Sequence, residues 1–307
     1  MQRTIRTDLA MEAHEYYVGD GEGAPSDIHV KKEQFGNILV TKVAVTGEKG
    51  AKMIDKPIGN YITLEMTENK TEQSENALAI RLGEEIIWLL EQCGLSDTDE
   101  ALIVGLGNEK VTPDALGPKA ISSLIVTRHV LEKMPNLLDK SVRSVAAVSP
   151  GVLGTTGIET LEIIRGIAQR VAPKLVIVID ALASRSVERL GNTVQISDTG
   201  ICPGSGVGNR RDALNKETLG IPVIAIGIPT VVDAATITSD FMQSMLDTLD
   251  DPSLQDQDVQ LYEMVLETLG ENIKNMIVTP KEIDLLIGKM AVSVARGINY
   301  GLGLPIQ

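Results

Sequence analysis

The sequence contains few of the side chains on which most hydrolytic and nucleic-acid-binding sites depend. Its 307 residues include three histidines, two cysteines and one tryptophan, and aromatic residues make up only 3%. Cys93 and Cys202 lie in unrelated contexts without metal or redox spacing, so both are expected to be reduced thiols. Scarce aromatic rings leave little surface for stacking on bases, which disfavours nucleic acid as a ligand.

Long apolar runs and an excess of basic charge are also missing. No stretch approaches the ~18 apolar residues of a membrane span, and the first residues show no apolar core of signal-peptide length. The net charge is −14, which repels phosphate backbones and anionic lipid. These features predict a cytoplasmic protein with neither a membrane nor a nucleic acid as a direct partner.

Motifs for nucleotide, metal and nucleophilic chemistry are weak or incomplete. Gly105-Leu-Gly107 follows a strand but lacks the third glycine of a dinucleotide fingerprint, and residues 203–211 lack the Gly-Lys-Ser/Thr ending of a phosphate loop. His14-Glu15 is not followed by a second histidine at the zincin spacing, and no Gly-x-Ser-x-Gly elbow occurs. The sequence therefore predicts no cofactor and no metal, and leaves carboxylates as the main catalytic candidates.

Strand and helix patterns predict an α/β fold. Up to about residue 70, strand-like segments at 37–45 and 61–66 suggest a small β-rich extension beside the core. Beyond it, apolar strands alternate with amphipathic helices, including one helix over roughly 119–133. This alternation predicts a three-layer α/β/α core with a mostly parallel twisted sheet. The last helix is predicted to begin around Thr279-Pro-Lys-Glu282.

Two aspartates stand just beyond the ends of predicted strands. Asp114 follows the strand 101–106, and Asp180 closes the apolar strand 175–180. Ligands of open α/β sheets bind outside the carboxyl ends of the strands, where residues from separate strands can meet. An aspartate after a strand is often only a turn residue or a helix cap. A pair that meets can instead share a proton and activate water, which is peptidase-like chemistry.

Three segments carry a family resemblance. They are Val111-Thr-Pro-Asp-Ala-Leu-Gly-Pro118, Ile179-Asp-Ala-Leu-Ala-Ser-Arg185 and Ile201-Cys-Pro-Gly-Ser-Gly-Val-Gly-Asn-Arg-Arg211. They resemble the germination proteases of spore-forming bacteria, and the resemblance extends over essentially the whole chain. It implies an endopeptidase that begins the degradation of small acid-soluble spore proteins in the spore core. It also implies a homotetramer, and it places the catalytic pair on Asp114 and Asp180.

The resemblance further implies a zymogen that cleaves itself. Family substrates are cut after an acidic residue and before an apolar one, and Thr7-Asp-Leu-Ala-Met-Glu12 follows this pattern. We expect self-processing between Asp8 and Leu9. The chain is then expected to divide into a propeptide (1–8), an N-terminal extension (9–70) and a catalytic core (71–307), all within one structural domain.

The substrate-binding residues are predicted from their positions. Gly105, Gly107 and Asn108 are expected to line the cleft, because glycines allow close approach of backbone N–H groups. Arg185, Arg210 and Arg211 are candidates to hold the acidic residue before the cut.

The sequence is compatible with two alternative functions. A more distant similarity to hydrogenase maturation endopeptidases, through Gly105-Leu-Gly-Asn108 and Asp114, implies a carboxylate metal site. The expected partner histidine is missing after strand 222–228, which favours the aspartic mechanism over a metallopeptidase. The second alternative is a non-catalytic binding module that uses the same crevice.

Overall fold

The structure is a computed structural model that describes residues 7–18, 25–67, 71–134, 136–139, 141–202, 212–249 and 276–305. Arg210 and Arg211, both predicted to bind substrate, lie outside the described residues.

The described strands form one continuous sheet. They are β1 (Ile28–Phe35), β2 (Ile38–Val45), β3 (Gly59–Met66), β4 (Ala101–Gly105), β5 (Val145–Val148), β6 (Leu175–Ser184), β7 (Thr193–Ser197), β8 (Val223–Asp233) and β9 (Ile277–Val278). Their order is β1-β2-β3-β7-β8-β6-β4-β5, with β9 paired to β8.

The sheet is mixed, and its parallel part is limited to four strands. Strands β5, β4, β6 and β8 run parallel to their neighbours within this group. The other described pairings, including β3 with β7 and β7 with β8, are antiparallel. The predicted α/β class is confirmed, whereas the mostly parallel arrangement holds only for this part. The strands of the N-terminal extension continue the core sheet through β7.

Helices cover both faces of the sheet. They are α1 (Ala10–Tyr17), α2 (Glu48–Ile54), α3 (Glu72–Gln92), α4 (Leu116–Ser122), α5 (Arg128–Lys133), α6 (Leu153–Thr156), α7 (Thr160–Val171), α8 (Lys216–Leu219), α9 (Ala234–Leu249) and α10 (Ile283–Gly301). One face packs against α3, α4 and α10, and the other packs against α7 and α1. None of the described helices is both long and apolar enough to cross a bilayer.

The helix predicted over 119–133 is wrong as a single element, because it is divided into α4 and α5. Thr127 separates them by bonding to the start of β5: its N–H donates to the Val145 carbonyl at 3.0 Å, and its hydroxyl accepts the Val145 N–H at 2.9 Å. The last helix begins at Ile283 rather than at the predicted Thr279, whose hydroxyl donates to the Thr230 carbonyl at 2.9 Å.

Strand β6 extends beyond its neighbour β4, and this difference creates the candidate site. The pairing of β4 with β6 ends at Gly105 and Ile179, where the Leu106 N–H donates to the Ile179 carbonyl at 2.8 Å. On the other side, β8 accompanies β6 as far as Ser184. Beyond residue 179, therefore, one edge of β6 is open to a segment from elsewhere in the chain.

Close packing of α3 against α10 depends on glycine, which gives a prediction about stability. A Cβ atom at Gly297 would stand 2.9 Å from the Ala79 carbonyl oxygen and 2.6 Å from a Leu82 methyl carbon. Gly297→Ala is expected to lower the free energy of unfolding by about 1–3 kcal/mol. Gly288 lies in the same helix with open space around it, so Gly288→Ala should raise that free energy by up to about 1 kcal/mol. Urea denaturation measures both, and a loss of equal size in the two variants would contradict this packing.

Candidate active site

Asp180 lies at the first position where β6 has lost its neighbour β4. It is 7% exposed, although it follows a run of fully buried apolar residues. Its Oδ1 accepts a hydrogen bond from the Ala181 N–H at 2.9 Å, which satisfies one backbone donor of the open edge. The strand thus holds a carboxyl group in a site with little access to solvent.

Asp114 reaches the same edge from a separate element. It ends a 3-10 turn, Thr112–Asp114, just before α4, and its Oδ2 accepts the Asn108 N–H at 2.7 Å. Gly107 has a φ of +108°, and a Cβ atom there would stand 2.0 Å from the Asp114 carbonyl oxygen. The loop after β4 can therefore fold closely around Asp114 only with glycine at this position.

The electrostatics of the site favour the protonated form of Asp180. Burial raises the pKa of Asp180 well above its ordinary value, and the nearby charges of Asp114 and then Asp8 raise it further. The hydrogen bond from Ala181 acts in the opposite direction but is outweighed. A buried carboxyl group whose pKa is raised is suited to a general acid role.

The other predicted substrate-binding residues that the structure describes have the following positions. Gly105 packs against Gly117, where a Cβ atom would stand 2.4 Å from the Gly117 carbonyl oxygen. Gly107 and Asn108 contact Asp114, as described above. The Arg185 guanidinium bonds to the Asp240 carboxylate and lies 4.9 Å from the centroid of the Tyr16 ring. Residues 7–12 form the N-terminal segment. Arg185 binds this segment through its backbone N–H, which donates to Glu12, and not through its guanidinium.

The N-terminal segment occupies the open edge of β6. The Asp8 N–H donates to the Ala183 carbonyl at 2.9 Å, and the Ala183 N–H donates to Asp8 Oδ2 at 2.8 Å. Leu9 is fully buried in an apolar cluster with residues that include Val43, Tyr61 and Leu182. The Asp8–Leu9 bond, which is predicted to be cleaved, therefore lies against β6. Asp8 pairs with Ala183, three residues after Asp180.

Glu12 fixes the far end of this segment. Its carboxylate is 1% exposed and accepts the N–H groups of Arg185 at 2.6 Å and Ser186 at 3.0 Å. Arg189 Nη1 adds an ion pair at 2.9 Å, and the Thr7 hydroxyl also donates to Glu12. Both acids of the motif Thr7-Asp-Leu-Ala-Met-Glu12 are thus bound by donors at the end of β6.

Comparison with known proteins identifies the family. The family model described as "Germination protease" matches residues 7–259. The chain belongs to the germination protease family. It is 44% identical to the germination protease of Clostridium tetani, with 97% of this chain and 95% of that protein covered. It is 46% identical to the one from Caldanaerobacter subterraneus, with 97% and 94% covered.

A search of solved structures found a protein of another kind. It is a [NiFe] hydrogenase maturation protease, HycI, from Thermococcus kodakarensis. The TM-score is 0.35 and the identity is 18%, with 69% of this chain and 99% of that chain covered. The part of this chain that the structure describes contains no group of three or more His, Cys, Asp or Glu side chains arranged to hold a metal ion.

Several residues that contact the N-terminal segment were not predicted from sequence. Lys56 and Gln195 bond to the backbone of the segment, and Arg189 binds its second acid. The only signal in the sequence was the motif Thr7-Asp-Leu-Ala-Met-Glu12. Its second acid, Glu12, requires a hydrogen-bond or ion-pair partner if it is buried. Nothing in the spacing of Lys56, Gln195 or Arg189 pointed to the segment, because β3, β7 and the end of β6 bring them together.

The raised pKa of Asp180 predicts how stability depends on pH. A group whose pKa is higher in the folded state contributes its full stability below the pKa of the unfolded state, and this contribution is lost as pH rises. Asp180→Asn keeps an oxygen to accept the Ala181 N–H but cannot ionise. We expect it to raise the thermal midpoint at pH 7, and we expect this gain to disappear below about pH 4.

Asp139→Asn is the control, because the pKa of Asp139 is shifted in the opposite direction to that of Asp180. The Ser141 N–H and hydroxyl lower the pKa of the exposed Asp139 carboxyl, so Asp139→Asn should slightly lower the midpoint at pH 7. Melting curves from pH 3 to pH 8 measure both variants. If Asp180→Asn changed the midpoint equally at every pH, Asp180 would not be a buried acid of raised pKa.

Proposed function

We propose that this protein is the endopeptidase that initiates degradation of small acid-soluble spore proteins at germination. It cleaves after Glu or Asp and before an apolar residue, in the cytoplasm of the spore, with Asp114 and Asp180 activating water. The observation that carries the proposal is the position of Asp8 and Leu9 on the open edge of β6, beside a buried acid of raised pKa. Membership of the germination protease family supports it.

The two aspartates take different parts in hydrolysis. Asp114, which accepts the Asn108 N–H, acts as the general base that removes a proton from water. Asp180 acts as the general acid, because burial and the adjacent charges raise its pKa and oppose its ionisation. The proton that Asp180 holds is therefore available for the substrate as the peptide bond breaks.

Specificity follows from the way in which the chain binds its own N-terminal segment. The Ala183 N–H accommodates the acid before the cut, and an apolar cluster surrounds the residue after it. A backbone donor favours a carboxylate without fixing its length, which fits both Asp and Glu at this position. Main-chain pairing with a strand edge is a common mode of peptide recognition.

The same geometry supports a zymogen. While residues 7–12 occupy the edge of β6, another peptide cannot pair there, so the intact chain is inhibited by its own segment. Cleavage between Asp8 and Leu9 releases residues 1–8 and begins to free the groove. A homotetrameric assembly is expected in addition, from the family resemblance alone.

Replacing either aspartate tests the proposed chemistry. Asp114→Asn and Asp180→Asn should each slow self-processing by more than about 10³-fold, because the two carboxyl groups act as one unit. Mass spectrometry of the purified full chain would follow the appearance of a product that begins at Leu9. Asp139→Asn, which changes an exposed aspartate remote from the site, should process at the normal rate.

Three outcomes separate the alternatives. Self-processing that continues under strong chelation rejects the metal-dependent alternative. Binding of a substrate peptide without any cleavage by the unchanged chain indicates a binding module instead. Normal processing in both aspartate variants would refute the proposed pair.

Glu12 offers a separate test of how the N-terminal segment is held in place. Both Glu12 and Glu15 pair with Arg189, but the Glu12 side chain is 1% exposed and that of Glu15 is 40% exposed. Glu12→Gln removes one partner of a buried ion pair, so we expect a loss of about 3 kcal/mol in the free energy of unfolding and slower self-processing. Glu15→Gln should change this free energy by less than about 1 kcal/mol. Equal effects in urea denaturation would show that burial of Glu12 does not fix the segment.

A further inference from the structure

The carbonyl group of Asp8, which precedes the proposed cleavage point, is held by two side chains. Its oxygen accepts hydrogen bonds from Gln195 Nε2 at 3.0 Å and from Lys56 Nζ at 3.2 Å. Lys56 also donates to the Thr7 carbonyl at 3.1 Å. A carbonyl oxygen has two lone pairs, so these two donors satisfy its usual capacity.

Gln195 contacts the backbone on both sides of the Asp8–Leu9 bond. Its Oε1 accepts the Ala10 N–H at 2.7 Å, while its Nε2 bonds to the Asp8 carbonyl. Because a backbone N–H can only donate, the contact with Ala10 fixes the orientation of the amide. A single side chain thus aligns the peptide across the proposed scissile bond without reading its side chains.

The placement of Gln195 within the sheet is unusual for a polar residue. It is 8% exposed and lies in the middle of β7, between β3 and β8. Its neighbours Val194 and Ile196 point to the apolar face under α3 and α10, so Gln195 points to the opposite face, toward the segment. A buried amide without partners is costly. Once the segment leaves, this amide needs another peptide backbone or water.

From this geometry, we propose that Gln195 and Lys56 are catalytic residues that stabilise the negative charge developing on the scissile carbonyl oxygen. This inference rests on the proposed cleavage between Asp8 and Leu9, and it assigns an oxyanion site to side chains rather than to backbone N–H groups. Donors fixed in advance around such an oxygen act strongly in a site that excludes water. The positive charge of Lys56 strengthens its bond to the oxyanion relative to the neutral carbonyl.

Because Lys56 and Gln195 bind the carbonyl oxygen, the proton of Asp180 goes to the leaving nitrogen of Leu9. Water adds to the Asp8 carbonyl carbon as Asp114 takes one of its protons, and the π electron pair moves to the oxygen held by Lys56 and Gln195. The pair then returns, the bond between carbon and the Leu9 nitrogen breaks, and that nitrogen takes the proton of Asp180. One water is consumed, giving a carboxyl group on Asp8 and an amine on Leu9. Transfer of a proton from Asp114 to Asp180 restores the starting state.

The test uses single substitutions in the full chain. Gln195→Met and Lys56→Met keep the approximate length of each side chain but remove the donor. The first-order rate constant of self-processing is followed by mass spectrometry, and folding is checked by thermal unfolding. We expect each variant to lose about 10²–10³-fold in rate. Gln34→Met and Lys52→Met change exposed residues of the same types and should process normally.

Cleavage of a separate peptide with the sequence of residues 3–14 by the processed enzyme distinguishes catalysis from binding. We expect kcat to fall by the same factor in Gln195→Met and Lys56→Met, with KM changed less than about threefold, since the donors act mainly on the transition state. If Gln195→Met does not fold, Gln195→Glu replaces it, because it keeps the acceptor for Ala10 and lacks the donor for Asp8.

The outcomes separate this inference from the function on which it rests. Normal kcat in the donor variants, or a loss confined to KM, overturns the role of Lys56 and Gln195 while leaving the peptidase proposal intact. Failure of the unchanged enzyme to cut between Asp8 and Leu9, in the chain and in the peptide, overturns both. Loss of kcat in both donor variants, with normal folding and active controls, supports the assignment.

Discussion

The site depends on one structural constraint: strand β6 continues after β4 has ended. Backbone N–H groups along the exposed edge of a buried strand must find acceptors, because leaving them unpaired in a dry interior is costly. Along this exposed edge, from Ala181 to Arg185, every second backbone N–H donates to a carboxylate. The pairs are Ala181 with Asp180, Ala183 with Asp8, and Arg185 with Glu12. The proposed catalytic acid and the N-terminal segment therefore share one strand edge.

Sharing this edge couples the charge of the segment to the proposed catalytic acid. Asp8 is one of the charges that raise the pKa of Asp180, after burial and Asp114. If the chain is cleaved after Asp8 as proposed, this contribution leaves with the released fragment, and the affinity of Asp180 for its proton decreases. A new substrate with an acid at the same position would restore the contribution. In this scheme, the substrate itself helps to keep the general acid protonated.

The parts of the site that were predictable from sequence are those set by strand ends. Asp114 and Asp180 could be selected because each follows a recognisable apolar strand, and parallel strands place such residues at a common edge. Lys56 and Gln195 could not be selected, since their function depends on pairing between β3, β7 and β8, which are remote in sequence. Gln195 resembles any polar residue of an alternating strand until its buried amide is seen against the segment.

The errors in the fold prediction have the same origin. Local patterns predicted one helix over 119–133 and a cap at Thr279, but both sites are decided by partners distant in sequence. Thr127 bonds to the start of β5, and Thr279 bonds to the end of β8. A threonine hydroxyl can satisfy a helix end or a neighbouring strand, and the sequence alone does not distinguish these uses.

The acidic character of the protein explains why main-chain donors are prominent in the site. With a net charge of −14, the chain does not attract an acidic peptide through its overall field. Specific binding of Asp8 and Glu12 must therefore come from local donors that are desolvated and correctly oriented. The end of β6 and the two residues after it supply three such N–H groups, those of Ala183, Arg185 and Ser186. Arg189 and Lys56 add positive charge where the segment contacts them. In the proposed function, the geometry of one strand edge allows this acidic chain to bind the acidic residues of a substrate.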